Sequence, residues 1–290
     1  MERIYLDYAA TTYVRDEVFE EMSPYFGMFF GNPSSLYESG REAAGVIERA
    51  RESIAKSLGA AQKNEIYFTA CGTESDNWSL AGVMEANEKK GRHLITTATE
   101  HHAVLHTVRH LKARGYDVTV LPVDEYGAVS VKQVREALRE DTVLVSVIYA
   151  NNEVGTINPI REIGGLAKDA GVIFHTDAVQ AVGSIPLHVQ KDNIDLLSLS
   201  AHKFYGPKGM GALYVRTGVQ ICPLLYGGAQ ERKKRAGTEN VPEIVGMAKA
   251  LALAVGEMGA ESERLSGLRD YMINKMQALL PRAVLNGHPS

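Results

Sequence analysis

Lys203 is the residue with the clearest chemical potential in this chain. It sits within residues 197–211, LSLSAHKFYGPKGMG, where an apolar run gives way to small and polar residues. Such a run fits a buried strand, and a lysine just past its end lies at the edge of a core. Desolvation there lowers the amine's pKa toward a reactive free base, the form that builds a Schiff base with a carbonyl. Taken alone, Lys203 reads equally well as a solvated surface lysine. Asp177 stands just past another apolar run, 172–175, where it can hold a buried cation such as a pyridinium or cap the following turn. The spacing between Asp177 and Lys203 leaves room for a helical crossover between neighbouring strands, which would bring carboxylate and amine into one crevice.

Other strand ends carry weaker signals. After 66–69 comes Ala70-Cys71-Gly72-Thr73-Glu74-Ser75. Small residues at a strand-to-helix turn expose backbone N–H groups at the positive end of a helix dipole, a phosphate site. A capped helix with Thr73 and Ser75 serving the backbone is the plainer reading. After 93–98 comes His101, which can face a ligand. His102, His106 and His110 lie four apart on one helical stripe. Two histidines at that spacing can chelate zinc, but that motif usually carries a glutamate beside the first histidine and a third ligand, so an exposed polar stripe is expected and no metal. Asn151-Asn152 follows 143–149 and either builds a turn or presents amides to a ligand. The basic, glycine-rich stretch 227–240 is a mobile surface loop or a second source of anion-binding groups.

These positions need a scaffold of alternating elements. Short apolar runs predict strands over 66–69, 93–98, 117–122, 143–149, 172–175, 194–199 and 212–215. Periodic stretches predict helices over 16–25, 35–58, 74–90, 103–114, 131–138, 160–170 and 242–280, the last with a break near Gly256–Gly259. In the 35–58 helix, Ala43, Ile47, Ala50, Ile54 and Leu58 form the apolar stripe, with Ser34 or Ser35 as N-cap. Residues 1–12 open with a short apolar strand, and 284–287 resembles a strand entering a turn. Alternation of strands with long helices implies an α/β fold with a mainly parallel sheet covered on both faces. In such sheets ligands gather at the carboxyl ends of the strands, where every residue above is found.

Composition narrows the function class. At 290 residues the chain holds one large domain, or one and part of a second. A balance of 31 basic against 35 acidic residues argues against a nucleic-acid partner. The absence of a long apolar run or a secretory leader argues for a cytoplasmic protein without membrane contact. Two cysteines, Cys71 and Cys222, are too few for a disulfide framework.

In combination these motifs resemble the NifS/IscS-type cysteine desulfurases among the fold-type I pyridoxal-phosphate (PLP) enzymes, a class-V aminotransferase-like group. The matching pieces are YLDYAATT at 5–12, GNPSS at 31–35, GTES at 72–75, TEHHAV at 99–104, NNEVGT at 151–156, HTDAVQ at 175–180, SAHKFYGPKG at 200–209, and GGAQER followed by AGTEN. The resemblance implies a three-layer α/β fold with a PLP-binding large domain over 16–256. An N-terminal arm, 1–15, would associate with a small C-terminal domain that begins at 257–290 and is incomplete. It implies that Lys203 carries PLP, that His101 stacks on the ring and moves protons, and that Asp177 pairs with the ring nitrogen. Gln180 and Asn152 would lie near the ring hydroxyl and the substrate, and Gly72, Thr73, Ser200 and His202 would form the phosphate cup. Thr238 would complete the phosphate site of a partner subunit in a homodimer.

The implied reaction removes sulfur from L-cysteine, leaving L-alanine and an enzyme persulfide that serves a sulfur-acceptor protein such as an iron–sulfur scaffold. Such a resemblance also places the nucleophilic cysteine and the arginine that grips the substrate carboxylate beyond residue 290. Neither Cys71 nor Cys222 matches that nucleophile's motif, so the chain is expected to be a fragment that binds PLP without mobilising sulfur unaided. Tyr37 and Ala236 stand where histidine and serine are usual. Competing readings are a selenocysteine lyase, a related PLP lyase or aminotransferase, a non-catalytic binding protein on the same fold, and a metal hydrolase using the histidine stripe.

Overall fold

The computed structural model describes residues 4–289. All seven predicted strands form, within three residues of their expected limits: β1 (Ile66–Thr69), β2 (His93–Thr97), β3 (Asp117–Leu121), β4 (Thr142–Ser146), β5 (Ile173–Asp177), β6 (Leu196–Ser200) and β7 (Gly211–Val215). They pair into one sheet in the order β1-β7-β6-β5-β4-β2-β3. The strands from β3 to β6 run parallel, whereas β7 is antiparallel to both β6 and β1. Linker length dictates that exception. A parallel return needs a crossover of a dozen or more residues, and the short link from β6 to β7 permits only a reversal. Lys203 lies on that link, in a 3₁₀ turn, Ala201–Lys203.

The helices are α1 (Asp16–Met22), α2 (Pro24–Gly27), α3 (Glu38–Leu58), α4 (Gly72–Ala86), α5 (His102–Ala113), α6 (Val131–Ala137), α7 (Ile160–Asp169), α8 (Gln230–Lys233) and α9 (Val241–Leu279). Residues of α3, α6, α7 and α9 bury one face of the sheet, and α4 and α5 bury the other with Trp78, Val83, Val104 and Leu111. The result is the three-layer α/β architecture expected. The α3 stripe is buried as its period requires, and the helix stops at Gly59, whose φ of +68° suits the left-handed cap.

Several expectations are corrected. α3 starts at Glu38, after Tyr37, and neither Ser34 nor Ser35 caps it. The 16–25 helix divides at Ser23–Pro24, since proline lacks the N–H that would continue the first segment. No helix bridges β5 to β6: Gly183, at φ +80°, and Pro186 confine that connection to turns. α9 passes Gly256 and Gly259 without a break. Two glycines cost it about 1 kcal/mol each, and the surrounding Ala, Leu, Met and Glu favour helix. The described part of the N-terminal segment forms no strand; Ile4 and Leu6 are 81% and 87% exposed, and residues 1–3 lie outside the described residues. Residues 284–287 form no strand either. Among the described residues, no helix is long and apolar enough to cross a membrane.

Candidate active site

Period-two alternation sets the chemistry of the α4-facing side of the sheet. Ser146 on β4, His175 and Asp177 on β5, and Ser198 and Ser200 on β6 all point that way, and the register pairs Ser146 with His175 and Asp177 with Ser198. The hydroxyls of Ser146 and Ser198 lie 2.9 and 3.0 Å from the two ring nitrogens of His175. Burial drops the His175 pKa to about 3, so the ring is neutral.

Above the ends of these strands opens a cavity of about 300 Å³. Gly72, Thr73, His101, Asn152, Asp177, Gln180, Ser200, His202 and Lys203 all line it, together with Ala10, Cys71, Asp76 and Val179. Of the predicted site residues, only Thr238 stays outside; it is exposed in the loop before α9.

Each side chain has an identifiable support. The Lys203 Nζ donates to the backbone carbonyls of Ala9 and Ala10, the latter at 3.0 Å. Burial lowers its pKa, against the opposing pull of Asp177 and Asp7. Asp177 accepts the Val179 N–H at 2.9 Å. Burial raises the Asp177 pKa, and the nearby His101 and Lys203 oppose that shift. His101 caps α5 by accepting the Ala103 N–H on Nδ1 at 3.1 Å, so its neutral ring carries the proton on Nε2. Burial and the neighbouring Lys203 and Lys208 lower the His202 pKa, which keeps that imidazole neutral. The adjacent asparagines divide the two roles open to them. Asn151 builds the turn, its Oδ1 accepting the N–H groups of Glu153 and Val154 at 2.9 Å, while Asn152 faces the cavity.

The cup at the start of α4 has the features of an anion site. Cys71 makes no side-chain cap bond to this 15-residue helix, so its first N–H groups remain for a ligand near Thr73, Ser200 and His202. Gly72 is there because of space: a Cβ would meet the Val179 Cγ2 at 2.7 Å. Two buried carboxyl oxygens have no hydrogen-bond partner, Asp76 Oδ1 in the cavity lining and Glu100 Oε2 outside it. Burial pushes Glu100 up to about 8. Anion donors at the start of α4 and the adjacent carboxyl groups of Asp76 and Asp177 in one cavity suit a molecule that carries both a phosphate and a protonated ring nitrogen. PLP is such a molecule, and an amine of depressed pKa stands beside the cavity to receive its aldehyde.

Sequence reasoning missed two contributors. One is the arm preceding α1: Thr12 donates its N–H and hydroxyl to the His202 carbonyl, each at 2.9 Å, and accepts the Tyr205 N–H at 2.8 Å. Gln180 Nε2 also reaches Ala9 O, at 3.0 Å. These contacts span more than 170 residues of sequence, and no local pattern signals them. The other is Asp76, inside α4, whose helical position gives no hint of its neighbours. In the basic loop, Arg232, Lys234 and Arg235 bond to Ile66 O, Ile221 O and Glu74. These cations are engaged within the fold. Asp76, His101 and Asp177 are close enough to resemble a metal cluster, but the stripe of His102, His106 and His110 is exposed and separate from them.

The model for class-V aminotransferases matches residues 4–288. Cysteine desulfurase IscS of Methanosarcina thermophila is 56% identical over 287 residues, covering 99% of this chain and 70% of that protein. Its namesake from Clostridium botulinum strain Hall is 54% identical over 286 residues, covering 99% and 72%. Among solved structures, a NifS-like protein superposes with a TM-score of 0.94 at 45% identity, over 96% of this chain and 77% of that one. SspA in complex with cysteine gives 0.83 at 43%, over 86% and 72%.

Proposed function

The chain belongs to the class-V aminotransferase family, and from that premise we propose that it is a PLP-dependent cysteine desulfurase. In that reaction an enzyme thiolate takes the sulfur of L-cysteine as a persulfide and leaves L-alanine; residues 1–290 supply the PLP-binding part and are not expected to mobilise sulfur unaided. One observation carries this reading: a lysine of depressed pKa, a buried aspartate, a histidine at a helix start and an anion cup all line one cavity. The relatives named above supply the substrate class.

Bound PLP supplies an electron sink for the pair released at the substrate Cα. The protein's own groups do the rest. Lys203 Nζ would hold the cofactor through its aldehyde and, when free, would accept the Cα proton. The Asp177 carboxylate keeps a proton on the ring nitrogen. His101 would stack on the ring, with Nδ1 held by the Ala103 N–H and Nε2 left to move protons. Thr73, Ser200, His202 and the first N–H groups of α4 fix the phosphate, with Gln180 and Asn152 toward the ring hydroxyl and substrate. Cys71 lies in the cup and Cys222 outside the cavity lining, so neither is assigned the persulfide.

We also assign a homodimer in which Thr238 serves the partner subunit's phosphate site. Its exposure outside the cavity supports this, as does an apolar surface containing Phe26, Met28, Phe30 (79% exposed) and Leu36 (89% exposed). A sulfur-acceptor protein and a cytoplasmic location complete the reading. The large domain spans 16–256 and a small domain starts at 257, within α9, with 1–15 as an arm. The test is direct. Incubation with PLP yields a yellow protein, borohydride reduction fixes the cofactor's mass on the Lys203 peptide, and Lys203→Ala abolishes both. Colour that persists in Lys203→Ala, or label on another lysine, refutes the assignment.

A further inference from the structure

Two buried carboxyl groups, Asp76 and Asp177, line the cavity, and a third, Glu100, is buried after β2. They are not equally provided for. Asp177 receives the Val179 N–H at 2.9 Å and faces Lys203 and His101. Asp76 comes to the same point from the second turn of α4. A carboxyl oxygen of Asp76, one of Asp177 and a ring nitrogen of His101 lie within 4.8 Å of one another. Asp76 Oδ1 lies 3.6 Å from His175 Nε2, too far for a hydrogen bond, and it has no partner. His175 cannot answer it with charge, because burial drops its pKa to about 3 and leaves the ring neutral.

We propose that Asp76 is a positioning residue that shares one proton with Asp177, so that the pair presents a single negative charge to the cofactor's ring nitrogen. This deepens the functional reading above and rests on it at one point, the placement of that nitrogen against Asp177. Two carboxylates this close in a water-poor interior cannot both ionise. Asp177 keeps the charge because the Val179 N–H and the neighbouring Lys203 and His101 favour its ionised form. Asp76 takes the proton because burial and the charge of Asp177 from β5 favour the acid, against the Ser198 hydroxyl; Glu100 after β2, Cys71 before α4 and the neutral His175 also face it and supply no cation. Burial, then Asp177, pushes its pKa well above the ordinary carboxyl value. A proton on Asp76 places a donor on a side chain one of whose oxygens lies within 4.8 Å of an Asp177 oxygen. Confining the charge to Asp177 keeps one acceptor aligned with the ring N–H.

The test compares the full chain with Asp76→Asn, whose amide keeps the shape and donor of the protonated acid. Urea unfolding is followed from pH 5 to 8, with and without PLP. In the unfolded chain the Asp76 carboxyl loses its proton near pH 4, whereas the native one keeps it. The wild-type folding constant therefore falls about tenfold per pH unit relative to Asp76→Asn. An infrared band of a protonated carboxylic acid, shifted by ¹³C-aspartate labelling, is expected in the wild type at pH 7 and absent from the variant. If the chain takes up PLP but the ratio of folding constants is independent of pH, or the acid band is unchanged in Asp76→Asn, the shared proton is overturned. A chain that takes up no PLP overturns the functional reading and, with it, this role.

Discussion

Thr12→Val asks whether the N-terminal arm shapes the turn that carries Lys203. Thr12 is 3% exposed, and valine fills nearly the same space, so the loss is polar and leaves no cavity. The hydroxyl bond to the His202 carbonyl disappears, but that carbonyl keeps the Thr12 N–H at 2.9 Å. This part costs about 0.5–1 kcal/mol. The Tyr205 N–H, which reaches the hydroxyl oxygen at 2.8 Å, loses its acceptor in a half-buried position, and an unsatisfied donor adds about 1–2 kcal/mol. Tyr205 also sits at φ +63°, a left-handed conformation that a side chain adopts at a cost of about 1 kcal/mol or more, and this bond helps to hold it. The expected destabilisation is about 2 kcal/mol, read as a shift of the urea midpoint at constant m. If about half of that loss is recovered by relaxation of the cofactor-free turn, PLP affinity falls about fivefold. Fluorescence of the single tryptophan, Trp78, follows binding. A stability change below about 0.5 kcal/mol together with unchanged PLP affinity would refute the role given to the arm.

The loop that carries Thr238 is fastened by a buried ion pair in which Arg51 meets both carboxylate oxygens of Glu231 at 2.7 and 2.9 Å. Removing one partner of such a pair leaves the other charge uncompensated, so Glu231→Gln is expected to cost about 3 kcal/mol in urea unfolding; a change below 1 kcal/mol would contradict the clamp. Glu100, raised to about 8 by burial, is protonated in the native chain and ionises near 4.3 when unfolded. Its contribution to stability is full below that lower value and is lost as pH rises toward 8, at about 1.4 kcal/mol per pH unit. Glu100→Gln removes this slope, and parallel pH profiles for the two proteins would exclude a protonated Glu100.

Much of the site was legible because its residues follow strands. A short apolar run ending in polar residues marks both the strand and the place where its chemistry is displayed, which is how Asp177, His101, Asn152 and Lys203 stand out. The Asp177–Lys203 crevice was inferred correctly although the helix imagined between β5 and β6 does not exist. Adjacency depends on the strands pairing, and turns closed by Gly183 and Pro186 connect them as well as a helix would. α9 shows the opposite limit: glycine content alone suggested a break, whereas helix propensity summed over many neighbours outweighed two local penalties.

What the sequence by itself determined is the alternation of elements, the short β6–β7 link that reverses β7, and the set of polar residues placed at the strand ends, since these depend on local period and spacing. Only the tertiary structure decided which distant groups share a low-dielectric space. It brings Thr12 to His202, Arg51 to Glu231 and Asp76 to Asp177. A hydrogen bond or a shared proton depends on ångström-scale distances and on exclusion of water, and neither exists along the chain until it has folded.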